Sequence, residues 1–330
     1  MTEPVSWGVL GVAGIAVHKV IPAMQASELS PVRAIASRSE GKADEAAAEL
    51  GIDKAYASYE ALLADPDIEA VYIPLPNHLH AEWTEKAAGA GKHVLCEKPL
   101  AMSSEQARHM IGVCRDAGVK LMEAFMYRLH PMWVEAKRVV DSGMIGDLLA
   151  IQSFFSYRNV DPSNIRNIAR FGGGALMDVG CYPVNVARLF FGAEPDTVKS
   201  SILRDPDFGT DAVTSAVLDF GGRHATFTCS TQLEDDQSVV LVGTTGRLEI
   251  EIPFNIPPDR PTRLFHYAGG DPPVSPHVEV HEFAAVDQYG IQADAFSRAI
   301  RDDTPVPTDP DDAVANLVVM ERIVANALVI

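Results

Sequence analysis

Two segments of this chain place acid–base side chains where a fold can aim them. In Cys96-Glu97-Lys98-Pro99 the residue before proline is pushed into extended geometry, which keeps Lys98 out of any helix. Val94-Leu95 just before it reads as a strand, so Lys98 stands at the mouth of a sheet, able to point at a ligand. A lysine beside an acid–base group lowers that group's pKa by favouring its anion. The second segment, Gly172-Gly173-Gly174-Ala175-Leu176-Met177-Asp178-Val179-Gly180-Cys181-Tyr182-Pro183-Val184-Asn185, starts with a glycine run and enters a helix. Helical spacing sets Asp178, Tyr182 and Asn185 at i, i+4 and i+7, a polar stripe on one face. Such a stripe suits recognition of substrate hydroxyls together with a proton-transfer group. The alternative is a structural tyrosine, with Asp178 serving the first turn of the helix.

A third set of residues points to a dinucleotide. Gly8-Val9-Leu10-Gly11-Val12-Ala13-Gly14-Ile15-Ala16 follows an apolar strand and precedes an apolar helix. A dinucleotide-binding turn needs glycine at the tight bend and small residues where backbone nears pyrophosphate and helix meets strand. In the G-x-G-x-x-G register these are Gly11, Ala13 and Ala16, so two glycines have become alanines. The pyrophosphate would rest on the helix N-terminus, at the backbone of Gly14 and Ile15. A Gly/Ala turn of an ordinary α/β protein is the alternative. The second strand ends Ala36-Ser37-Arg38, where NAD-selective sites place an acid for the ribose 2′-hydroxyl. Ser37 and Arg38 can both donate to a 2′-phosphate, and Arg38 can stack on adenine, so NADP is favoured and NAD stays allowed. If Arg38 only caps a surface turn, the preference is undetermined.

The loop Ile73-Pro74-Leu75-Pro76-Asn77-His78-Leu79-His80 lies at a strand's carboxyl end, where open α/β sheets bind ligands. Leu75, Asn77 and His80 are cofactor-loop candidates, with Glu97 and Lys98; Asn77 reads equally well as a helix N-cap. His78 and His80, at i, i+2 with no acidic partner, read as loop or helix-start residues, and no metal is expected.

These loops must hang on alternating elements. Apolar runs at Ser6–Leu10, Val32–Ala36, Ala70–Pro74, His93–Leu95 and Lys120–Glu123 alternate with helical stretches at Lys42–Leu50, Tyr59–Leu63, His80–Ala90 and Ser104–Ala117. That order predicts βαβ units and a doubly wound parallel sheet. Beyond about residue 150, Ala150–Phe155, Val213–Phe220, His224–Thr231, Ser238–Gly243 and Arg247–Ile252 read as successive strands of a mostly antiparallel, mixed sheet. Helices are expected at Ala175–Phe190, Ala285–Arg301 and Asp311–Leu328, and Pro253–Pro276, with its prolines and Gly269-Gly270, reads as a loop. The class is α/β: a Rossmann domain over 1–124 and an α+β domain over 125–330 that binds substrate and makes oligomers. The closing helix has the option of packing back on the first domain.

Composition sets the outer limits. The chain has 330 residues, 27 basic against 45 acidic side chains, and a formal net charge of −18, which disfavours a nucleic-acid partner. With 47% hydrophobic and 22% charged residues it reads as globular, and no run is long enough for a membrane helix. The N-terminus lacks a positive region ahead of its apolar stretch and does not read as a secretory signal. Cys96, Cys114, Cys181 and Cys229 are scattered and form no C-x-x-C pair, so packed thiols and a cytoplasmic location are expected.

Taken in order and at these spacings, Gly11–Ala16, Pro76-Asn77 with His80, Glu97-Lys98-Pro99 and Gly172–Tyr182 resemble the Gfo/Idh/MocA oxidoreductases over nearly the whole chain. The resemblance implies Lys98 and Tyr182 as the catalytic pair, with Asp178 binding or orienting substrate. Many members have histidine where this chain has Tyr182. Tyrosine there is similar to the branch of NADP-dependent D-xylose dehydrogenases, glucose–fructose oxidoreductase and dimeric dihydrodiol dehydrogenases. Glu123–Arg128 and Asn164-Ile165-Arg166-Asn167 resemble the dihydrodiol and xylose enzymes, which adds Arg166 to the substrate-binding candidates beside Asp178 and Asn185. The implied activity is oxidation of an aldose at C1 to the lactone, with NADP preferred. Dihydrodiol oxidation, keto-sugar reduction and a non-catalytic dinucleotide sensor are the alternatives. The implied assembly is a homodimer or homotetramer that covers the open sheet face.

Overall fold

The computed structural model describes residues 3–268 and 277–329. In chain order its elements are β1 (Trp7–Leu10), α1 (Ile21–Gln25), β2 (Val32–Ala36), α2 (Lys42–Leu50), β3 (Lys54–Tyr56), α3 (Tyr59–Leu63), β4 (Ala70–Ile73), α4 (His80–Gly89), β5 (His93–Cys96), α5 (Ser104–Asp116) and β6 (Leu121–Glu123). There follow α6 (Pro131–Asp141), β7 (Leu148–Arg158), α7 (Cys181–Phe191), β8 (Thr197–Arg204), β9 (Asp211–Asp219), β10 (His224–Ser230), β11 (Gln232–Gly243) and β12 (Gly246–Ile250). The chain closes with β13 (Thr262–Ala268), β14 (His277–Phe283), α8 (Gln288–Arg301), α9 (Pro310–Ala325) and β15 (Ala327–Val329). Two compact units emerge, one from the chain up to Met126 with Gln288–Val314, the other from Tyr127–Asp287 and the chain beyond Ala315. Among the described residues no helix is long and apolar enough to cross a membrane.

In the first unit six strands run parallel in the order β3-β2-β1-β4-β5-β6. β1 and β4 are buried at every position, as strands covered on both faces must be. The order reverses between β1 and β4, which opens the crevice at their carboxyl ends where doubly wound sheets bind ligands. The edge strand β3 carries no apolar run and is absent from the periodicity reading; it forms because β2 offers a parallel partner. α8 completes this unit. Trp7 Nε1 donates to Ser297 Oγ at 3.0 Å, and Arg301 forks onto Glu69 through Nη1–Oε1 and Nη2–Oε2 contacts of 2.6 Å.

The second unit is a nine-stranded mixed sheet, β14-β13-β12-β11-β7-β10-β9-β8-β15. Pairing is antiparallel except for β7 with β10 and β8 with β15. Two expectations are corrected here. The Pro253–Pro276 segment is not all loop: Thr262–Ala268 alternates buried Thr262, Leu264 and His266 with more exposed neighbours and adds β13, while Gly269-Gly270 and the rest of that segment lie outside the described residues. The last helix stops at Ala325 instead of running to Leu328, because Ala327–Val329 finds an open partner in β8. A cluster of Tyr127, Trp133, Phe155, Tyr182, Phe190 and Phe254, with ring centroids 4.8–6.1 Å apart, forms the aromatic core.

His130, fully buried, caps α6: its Nδ1 accepts the Met132 N–H at 3.2 Å. Only the neutral ring can accept, and burial pushes its pKa down from the usual 6.5 to about 4. A depressed folded-state pKa means that this stabilisation is present above the unfolded value and is lost as pH falls through the folded one. Urea titrations at stepped pH should therefore show the parent losing stability between about 6.5 and about 4, with His130→Asn losing less over that window.

Candidate active site

In the first unit the turn after β1 is built as a dinucleotide turn requires. Gly11 has φ +118°, which L side chains rarely adopt, and donates its N–H to Ala36 O at 2.9 Å. A Cβ there would meet Leu75 Cδ2 at 3.0 Å, so Leu75 also leaves little room for a side chain at this position. Ala16 is fully buried where helix meets strand, while Gly14 is exposed, and no side chain caps the helix start after it. A helix start that no side chain caps, beside the switch point between β1 and β4, is a fitting cradle for a pyrophosphate. At the end of β2, Ser37 is buried and its Oγ accepts the Ser39 N–H at 3.1 Å. The Arg38 guanidinium lies over the Tyr59 ring, 5.5 Å from its centre.

The two following loops are braced from within. His80 is fully buried, with Nε2 2.7 Å from Leu75 O and Nδ1 2.9 Å from Pro99 O. Burial pushes the imidazole pKa down against these carbonyls, which favour the protonated ring. His80 therefore ties the Leu75 loop to the Lys98-Pro99 loop and has no ring nitrogen left for a ligand, which corrects its reading as a cofactor contact. Tyr72 Oη donates to Glu97 Oε1 at 2.6 Å, so Glu97 too is held inside its own unit. Burial, with the Glu97 charge behind it, pushes the Tyr72 phenol well above its usual range. Asn77 opens a 3₁₀ turn, and α4 starts without a side-chain cap, so the N-cap reading of Asn77 does not hold. Lys98, half-buried, follows β5 at its carboxyl end.

In the second unit the glycine run does more than launch a helix. Gly174, at φ +118°, donates to Arg166 O at 2.8 Å, and a Cβ on it would collide with Asp211 Oδ1. Asp211 Oδ2 accepts the Leu176 N–H at 2.7 Å and the Thr214 hydroxyl at 2.8 Å, fixing the helix start. Burial pushes the Asp211 carboxyl pKa up. The first turn, Leu176–Gly180, is a π turn that leads into α7, so the spacing of an ideal α-helix does not apply across it. Asp178 Oδ2 accepts from Tyr157 Oη at 2.5 Å and from Arg166 Nε at 2.9 Å. Asn185, by contrast, is fully buried and accepts from Tyr127 Oη at 2.5 Å, which removes it from the substrate-facing stripe. Arg166 and Asp178 thus form an ion pair within this unit.

Tyr127, Tyr157 and Asp211 were not singled out from sequence. Tyr157 had a signal: the alternation that marks Phe155 as inward continues to it on the same strand. Asp211 had none, since it meets Leu176 from 35 positions away.

Comparisons with known proteins show the family of the chain. Residues 133–249 match the GFO/IDH/MocA C-terminal domain. An uncharacterized oxidoreductase of Rhizobium meliloti is 46% identical over 325 residues, covering 98% of this chain and 97% of that protein. The D-xylose 1-dehydrogenase (NADP(+)) 2 of Haloferax volcanii is 42% identical over 97% of both chains. The crystal structure of a 3-ketoreductase from Actinomadura kijaniata in complex with NADP and TDP-benzene superposes with a TM-score of 0.92 at 32% identity, covering 99% of each chain. With residues 5–125 matching the oxidoreductase family model described by its NAD-binding Rossmann fold, the chain belongs to the Gfo/Idh/MocA oxidoreductases.

Proposed function

We propose that this oxidoreductase is an NADP-preferring sugar dehydrogenase that oxidises C1 of an aldopyranose such as D-xylose or D-glucose to the lactone. The observation that carries the reading is the Asp178 carboxylate, held by Tyr157 and Arg166 on the turn that leads to Tyr182. A fixed carboxylate and a phenol on one short stretch are what a polyol needs, one acceptor to orient it and one group to take a proton. The bound nicotinamide supplies the hydride acceptor. Gly11, Ala13, Gly14, Ile15 and Ala16 hold the pyrophosphate through the backbone, and Ser37 with Arg38 take the 2′-phosphate. Leu75 and Asn77 line the cofactor loop. Tyr182 removes the proton from the reacting hydroxyl, and the Lys98 ammonium favours the phenolate it needs. Asp178 and Arg166 hold neighbouring hydroxyls and decide which carbon reacts.

The similarity to a D-xylose 1-dehydrogenase over nearly all of both chains supports the C1 reading, and the similarity to a 3-ketoreductase keeps keto-sugar reduction as the second one. Initial rates with NADP⁺ against D-xylose, D-glucose, polyols and a trans-dihydrodiol test the first reading. Turnover confined to NADPH with keto-sugars would replace it by the second. Cofactor choice has its own test. Ser37→Asp sets an anion against the 2′-phosphate and should lower kcat/KM for NADP⁺ by about tenfold or more, the scale of one charged contact, with NAD⁺ spared. An unchanged NADP⁺ to NAD⁺ ratio would remove Ser37 from the cofactor site. The partly exposed side of β9 and β10, with Ser215, Val217, Thr226 and Thr228, is the face we assign to a homodimer or tetramer.

A further inference from the structure

We propose that His266, Glu279 and His281 form a zinc site on the β13–β14 hairpin, built from none of the residues assigned to the oxidoreductase site. The register pairs His266 with Glu279 and Leu264 with His281, so the period of two puts all three side chains on one face of the hairpin. Their donor atoms lie within 4.8 Å of one another. His266 is buried, 5% exposed, and neither of its ring nitrogens has a hydrogen-bond partner. The Glu279 Oε2 atom is 3.7 Å from His266 Nδ1, and Oε1 is 3.7 Å from His281 Nε2. Both separations are too long for hydrogen bonds. They are close to the spacing of two donors on one tetrahedral ion, about 3.3 Å for bonds of about 2.0 Å.

A buried imidazole without a partner is unfavourable, and a cation shared with a carboxylate satisfies it. The surroundings suit that ion. From α6, Glu135 Oε1 faces His281 Nδ1 at 3.8 Å, on the far side of the ring from Glu279. At that distance Glu135 does not hydrogen-bond the ring, but its negative charge favours a cation on the Glu279 side. Arg138, one turn on from Glu135, is forked onto it through two 2.7 Å contacts, so its charge opposes the ion little. Two imidazoles and a carboxylate favour Zn²⁺ over Mg²⁺ or Ca²⁺, with water completing the tetrahedron. The ion would staple β14, the outermost strand of the sheet, to β13. In sequence the mark is His277-Val278-Glu279-Val280-His281, an alternation that becomes one polar face only once the segment is a strand.

The test uses the full-length chain, stripped with chelator and titrated with Zn²⁺ and, as a spectroscopic probe, Co²⁺. The expected result is uptake of about one equivalent at micromolar protein, tetrahedral Co²⁺ absorption and a zinc-dependent rise in Tm. Glu279→Gln and His281→Gln alter partly exposed side chains and should weaken binding by about tenfold or more, with turnover unchanged. His266→Gln should abolish the Co²⁺ spectrum; if it fails to fold, the other two variants decide. No uptake by the parent chain, or equal uptake by the parent and both of those variants, would overturn the site.

Discussion

Tyr182→Phe is expected to lower kcat by at least about a hundredfold, the usual contribution of a positioned acid–base group. The substitution removes one oxygen and leaves the ring, which packs at 4.9 Å from Phe254, 5.5 Å from Phe155 and 5.9 Å from Tyr127. The core that holds the residue is thus kept, and thermal unfolding should move little, so a loss of turnover reports chemistry. Lys98→Met gives the partner experiment. It keeps the apolar stem and deletes the charge, so the phenolate loses its counter-ion and the base needs a higher pH to form. The sign is definite: the rising limb of the kcat/KM profile for oxidation shifts to higher pH, and part of the lost rate returns there. A lysine that only positions substrate would raise KM and leave that limb in place. Wild-type turnover in Tyr182→Phe would sink the catalytic assignment.

How far sequence reached follows from whether a signal was local. The parallel sheet was legible because buried strands such as Val32–Ala36 and Ala70–Ile73 are short apolar runs between amphipathic helices. β3 and β15 were not, since three-residue edge strands owe their pairing to a neighbour rather than to their own pattern. β13 was masked by the prolines before it. The loops that carry the candidate site residues are legible as segments, but which side chain faces a ligand is not. His80 and Asn185 have the chemistry of ligand contacts, yet each spends it inside its own unit, on carbonyls in one case and on Tyr127 in the other. The i, i+4, i+7 stripe failed at Asn185, which follows Tyr182 within α7 but is buried on Tyr127; between Asp178 and Tyr182 the angular phase is shifted by the π turn at Leu176–Gly180.

That turn begins two residues after Gly174, and Gly174→Ala is expected to be strongly destabilising. Two costs add. An alanine held at φ +118° carries strain of about 1–3 kcal/mol. Its methyl would also overlap Asp211 Oδ1, so the carboxylate must leave the Leu176 N–H and Thr214 hydroxyl it accepts from, at about 1–3 kcal/mol for buried groups left unpaired. The sum, roughly 2–6 kcal/mol, is a large share of a domain's stability. The loss has a functional side, because the Asp178 N–H bonds to Gly174 O at 3.1 Å and the whole turn carrying Asp178 toward Tyr182 starts from that residue. Variant that stays folded should therefore bind sugar poorly as well as melt early. Asp211→Asn separates the two costs: it keeps the shape and an acceptor for Leu176 while removing a carboxylate that burial already disfavours, so its penalty should be much smaller. Urea unfolding of both variants, with KM measured on the folded fraction, gives the comparison. If Gly174→Ala unfolds at the parent's midpoint, backbone movement relieves the overlap and Asp211 does not set the start of this helix.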